Sequence, residues 1–175
     1  MPSSVQILGT GQLITLSRRL RAAGGPRLRQ NMARRIRRAA EPLKGDLQRA
    51  IRTQPLVSEG RKRNRRGVIP RGGPSPTRRP LRATLAGGVR ISVRQGASPG
   101  ARVWMDRAAL PPDIRNMPWV INTGRVRHPV FGNRSRWATQ WARPAGWWTR
   151  TVQAGTPRMQ AEVERILADV RRDLE

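Results

Sequence analysis

Leu28, Met32, Ile36, Leu43, Leu47 and Ile51 recur at multiples of three or four residues, with Ala33, Ala39, Ala40 and Ala50 among them. That spacing gathers apolar groups on one side of a 3.6-residue helix, so an amphipathic helix of about 25 residues is predicted over 27–53. Pro42 falls inside it and removes one backbone hydrogen bond, which predicts a kink near Ala39 to Glu41 or a break into two helices. Upstream, Leu13, Leu16 and Leu20 mark a short helical pattern that stops at Gly24-Gly25-Pro26. Earlier still, Val5, Ile7 and Leu8 nearly alternate before Gly9-Thr-Gly11 and read as a short strand or extended arm.

A period of two takes over further on. Val89, Ile91 and Val93 alternate with Arg90, Ser92 and Arg94, and Ala101, Val103 and Met105 alternate with Arg102 and Trp104. With Gln95-Gly-Ala-Ser-Pro-Gly100 between them, the two runs predict a β-hairpin with one apolar and one basic face. Trp119, Val120 and Ile121 form either a third strand or the end of a short helix begun at Pro111-Pro112-Asp113, before Asn122-Thr-Gly124 turns the chain. From Pro157 to Leu174 the helical period returns, with Met159, Val163, Ile166, Leu167, Val170 and Leu174 on one face. Thr156 as cap and Pro157 at the first helical position place the start there. The expected architecture is α+β in a single domain. It runs from an arm and short helix (1–26) through a long helix (27–53), a loop (54–83) and a small antiparallel sheet (84–125) to a Trp-rich segment and closing helix (126–175).

Charge changes this picture. The 175 residues include 36 Lys or Arg against 10 Asp or Glu, a formal net charge of +26. Such an excess opposes compaction by self-repulsion, so an anionic partner or acidic neighbour is expected. Only Lys44 and Lys62 are lysines; the rest are arginines, whose planar fork suits phosphate and carboxylate, although GC-rich coding produces the same bias. Arg27, Arg29, Arg34, Arg35, Arg37, Arg38, Arg49 and Arg52 fall on the outer face of the long helix, against Glu41 and Asp46. From Gly60 through Met105 there is no acid at all, while Arg61, Lys62, Arg63, Arg65, Arg66, Arg71, Arg78 and Arg79 crowd a stretch broken by Gly67, Pro70, Gly72, Gly73, Pro74, Pro76 and Pro80. Neither helix nor strand persists in such a sequence, and these eight side chains are the candidates for contact with an anion or partner. Five of the ten acids, Glu162, Glu164, Asp169, Asp173 and Glu175, sit on the closing helix as a counterpart, within the chain or between subunits.

Catalytic and metal chemistry find little here. Cysteine is absent, which excludes disulfides, thiolate metal sites and cysteine nucleophiles. The single histidine, His128, has no evident Ser and carboxylate around it, so a structural hydrogen bond is its expected role. Asp106 and Asp113 are isolated and the other carboxylates do not converge, so neither a metal, a cofactor nor an enzymatic activity is expected. No apolar run approaches the roughly 20 residues of a membrane span and no signal peptide is visible, so synthesis in the cytosol without membrane contact is expected, and the Asn133-Arg-Ser135 sequon is read as chance. Six of the seven aromatics are Trp, and Trp137, Trp141, Trp147 and Trp148 lie among Arg134, Arg136, Arg143 and Arg150. They fit a core or protein interface, with base stacking in single-stranded nucleic acid as the alternative.

The stretch Asn122-Thr-Gly-Arg-Val-Arg-His-Pro-Val-Phe-Gly-Asn133, followed by Trp137, Gln140 and Pro144-Ala-Gly-Trp-Trp148 ahead of a closing helix, resembles the tail-completion or neck proteins of long-tailed siphophages. It is similar to the lambda Z-type minor tail proteins. Ala145 intervenes where the family pattern has Pro directly before Gly, and the arm from Gly60 to Arg82 is longer and more basic. The resemblance implies a virion structural subunit at the head–tail joint, in a homo-oligomeric, sixfold ring around the DNA channel. The neighbours implied are connector and tail-terminator or tail-tube proteins, with non-specific contact to packaged duplex DNA open. It also implies that His128, Pro129, Phe131, Gly132, Asn133, Trp137 and Trp147 shape the fold and the ring interface. A free cytosolic nucleic-acid-binding protein that reads no sequence is the other reading that charge and aromatics allow.

Overall fold

The computed structural model describes residues 4–8, 26–58, 80–94, 100–130 and 133–172. It is an α+β fold of helices packed with two three-stranded antiparallel sheets. In chain order the elements are β1 (Ser4–Leu8), α1 (Pro26–Thr53), β2 (Leu56–Ser58), α2 (Leu81–Gly87), β3 (Val89–Arg94), β4 (Gly100–Met105), a 3₁₀ turn (Pro112–Ile114), α3 (Met117–Thr123), β5 (Arg125–Val130), β6 (Asn133–Ala142) and α4 (Trp147–Arg172).

α1 is the predicted long helix, and it runs through Pro42 as one element rather than two. Its apolar stripe of Met32, Ile36, Ala40, Leu43, Leu47 and Ile51 is buried, while Arg34, Arg35, Arg37, Arg38, Arg49 and Arg52 are exposed. Each fully buried Leu or Ile on that stripe stabilises by about 1.5–3 kcal/mol, enough to offset the hydrogen bond that Pro42 removes. The local ion pairs Lys44–Glu41 (3.3 Å) and Arg49–Asp46 (2.9 Å) add only tenths of a kcal/mol each at such exposure.

The first sheet has the order β1-β4-β3 and contains the predicted hairpin, with Val89 opposite Met105, Ile91 opposite Val103 and Val93 opposite Ala101. Val89, Ala101, Val103 and Met105 are buried, and Arg90, Ser92, Arg94 and Arg102 are exposed, so the period-two pattern is realised as one core face and one basic face. The third strand is β1, whose register sets Val5 opposite Val103 and Ile7 opposite Ala101. Trp119, Val120 and Ile121 are not a strand but the body of α3.

α4 lies along α1 and begins at Trp147, not at Pro157. Thr156 is no cap: its Oγ1 donates to Val152 O (2.7 Å) inside the helix. Gly155 lies where the helices meet, and a Cβ built there would come within 2.8 Å of Leu43 Cδ1, so a larger residue would require the Leu43 side chain to shift. Trp147, Trp148, Met159 and Val163 are buried with the α1 stripe, and the rings of Trp147 and Trp148 meet edge to face at 5.5 Å.

Candidate functional site

The second sheet, of order β2-β6-β5, is made by the residues that carry the sequence motif. β5 and β6 pair with Arg125 opposite Trp141, Arg127 opposite Thr139 and Pro129 opposite Trp137, and β2 adds Val57 opposite Trp141. Directly opposed residues in an antiparallel sheet share a face. One face therefore carries Val57, Trp141 and Arg125 in a row, then Thr139 and Arg127, then Trp137 and Pro129. On the other face, Val126 and Ala142 are buried at the root.

On the first of these faces arginines stack on tryptophans. The Arg127 guanidinium lies 5.5 Å from the centroid of the Trp137 ring, and those of Arg125 and Arg143 each lie 5.8 Å from that of Trp141. All three arginines are exposed, as are Val57 (53%) and Trp137 (51%), uncommon for apolar side chains of that size. Cation–π contacts at exposed sites contribute about 0.5–1 kcal/mol each, so their main effect is to restrain the guanidiniums beside the indoles. Trp137 is itself fixed, because its Nε1–H donates to Arg134 O (2.8 Å). The Trp141 Nε1–H is buried with no acceptor, which costs about 1–3 kcal/mol. No acidic residue occurs in the sequence from Ile114 to Ala161, and among the described residues no ion pair involves Arg125, Arg127 or Arg143.

A clamp at the root of the ribbon joins the two halves of the motif. Asn122 Oδ1 accepts from the Trp148 backbone N–H (2.9 Å), and Asn122 O accepts from Gly146 N–H (2.8 Å). Gly124 ends α3 with φ +90° and its carbonyl accepts from Ala142 N–H (2.9 Å). A Cβ on Gly124 would stand 2.7 Å from Ala145 Cβ. Trp147 Nε1–H donates to Pro118 O (3.2 Å), and the one buried polar side chain among the described residues, Gln54, donates from Nε2 to Pro144 O (3.1 Å). Asn122, Gly124 and Gly146 thus tie α3, the ribbon and the first turn of α4 together.

The sequence-predicted residues are distributed as follows. Trp147 belongs to the core, 2% exposed, whereas Trp137 stands on the ribbon face, half exposed. Pro129 lies opposite Trp137, and His128 Nδ1 is 3.2 Å from Pro129 O, the kind of structural contact expected for it. Asn133 opens β6. Phe131, Gly132 and the whole basic set Arg61, Lys62, Arg63, Arg65, Arg66, Arg71, Arg78 and Arg79 lie outside the described residues. Asp106 accepts from Ala109 N–H (3.2 Å) and lies 4.0 Å from Arg90; no cluster of three or more His, Cys, Asp or Glu among the described residues could hold a metal ion. No helix among them is long and apolar enough to cross a membrane. Sequence reasoning missed Arg125, Arg127 and Arg143 as site residues; the available signal was the i, i+2 spacing of Arg125 and Arg127 ahead of two tryptophans four apart, with Arg143 two residues after the second. No protein-family model, curated protein or solved structure matches the chain.

Proposed function

We propose that this chain is a structural subunit of a phage virion that completes the tail at the head–tail joint, as one member of a homo-oligomeric ring around the DNA channel. The observation that carries this reading is the clamp: the separated halves of the neck-protein-like motif, Asn122 to Asn133 and Pro144 to Trp148, meet through Asn122, Gly124 and Gly146. A motif whose halves cooperate to hold out a ribbon supports a shared architecture rather than chance likeness. In a sixfold ring the basic segment from Arg61 to Arg79 would be repeated around the channel or against acidic neighbours, and its contact with DNA would be through phosphates without reading sequence.

The test is electron microscopy of a lysate from the phage with this gene deleted. Filled heads beside separate, full-length tails are expected. Intact virions would overturn the joining role and leave the free nucleic-acid-binding protein as the reading to pursue.

A further inference from the structure

On the outer face of the second sheet, three exposed guanidiniums lie over β5 and just past the end of β6, with Thr139 opposite Arg127 among them. Arg125 and Arg127 are two residues apart on one strand, which at about 3.4 Å per residue separates them by about 7 Å. Phosphates along one strand of duplex DNA advance about 3.4 Å each along the helix axis but also wind around it, so neighbouring phosphates stand about 7 Å apart through space and the pair matches two of them. Trp137 and Trp141 already carry guanidiniums on their rings, so they serve to hold arginines rather than as bare platforms for bases. Gln140, a side chain of the kind that reads adenine edges, pairs with Val126 on the opposite face.

We propose that the outer face of the second sheet, through Arg125, Arg127 and Arg143, docks the phosphate backbone of duplex DNA without reading its sequence. Each guanidinium faces a phosphate while the indole beside it restrains it, which lowers the entropy lost on binding. The absence of acids from Ile114 to Ala161 means that β5 and β6 themselves carry only positive charge. This assignment concerns the ribbon alone and holds whether or not the subunit joins heads to tails, so the deletion phenotype and the binding measurement fail separately.

A chain of this net charge binds DNA through bulk electrostatics, so the experiment must compare equal losses of charge. Binding of the full-length protein to a labelled duplex of arbitrary sequence is followed by anisotropy across a salt series. The triple variant Arg125→Gln, Arg127→Gln, Arg143→Gln is set beside Arg35→Gln, Arg38→Gln, Arg52→Gln on the exposed face of α1. With a slope of about 0.9 per phosphate contact in log K against log salt, the ribbon triple should lower the slope by about 2–3 and the control by less than about 1. Equal falls in both, or none in the ribbon triple, would overturn the proposal. The latter result together with loss of head–tail joining would assign the face to a protein partner. Tighter binding of the single strand than of the duplex, lost in Trp137→Ala, would overturn it in favour of base stacking. Hydrogen exchange of the unaltered protein with and without duplex needs no variant to fold: protection is expected across 125–143, and none there would overturn the assignment.

Discussion

The two sheets are held in opposite ways. The first lies across α1, and burial of Val89, Ala101, Val103 and Met105 fastens it along its length. The second is fastened at its root, where Val126 and Ala142 are buried and Asn122 and Gly124 make the clamp, and it shows Val57, Trp137 and three arginines to solvent. A sheet fixed by its face has that face committed to the core. One fixed by its end keeps a face for something else.

This contrast can be broken most forcefully at Gly124. A methyl group there must adopt a left-handed backbone conformation and enter the space of the Ala145 side chain, so Gly124→Ala is expected to cost about 2–4 kcal/mol, read as a lowered denaturation midpoint. Limited proteolysis should then cut within 125–142 before it cuts the first hairpin, and simultaneous cutting would argue against separate fastening. Val103→Ala empties a site 0% exposed and removes about 1.5–3 kcal/mol by the same denaturation measurement, with the ribbon expected to keep its protection from protease. Trp137→Ala, the smallest effect, should leave stability within about 0.5 kcal/mol because the ring is half exposed. A larger loss would mean that the ribbon face carries more of the fold than its exposure implies.

What could be read in advance follows the same division. Burial along one face imposes a period, and so α1 and the β3–β4 hairpin are legible from Met32 to Ile51 and from Val89 to Met105. The ribbon has no such apolar period: Arg125, Arg127, Trp137 and Trp141 alternate with residues of mixed character, and the segment shows in sequence only as Trp-rich, with arginines among the tryptophans. The start of α4 is hidden for another reason. Thr156-Pro157 offers a local cap and a favourable first residue, but the donor that needs an acceptor is Trp148 N–H, and Asn122 supplies it from a distant point in the chain. A cap contributed from so far away leaves no local signature. Residues 147–155, with Thr, Val and Gly among them, are poor helix formers, and packing against Leu43 overrides that preference. Pro42 is overridden in the same way by the buried stripe on both sides of it.

The clamp also sets what inheritance can alter. Asn122, Gly124, Gly146 and Trp147 are each held by a backbone conformation, a hydrogen bond or near-complete burial, so a lineage that changes them loosens the root of the second sheet. Residues 134–137 are exposed, and nothing in the core rests on their identity. Descendants of this chain can therefore vary the tip of the second sheet while the body that presents it stays unchanged.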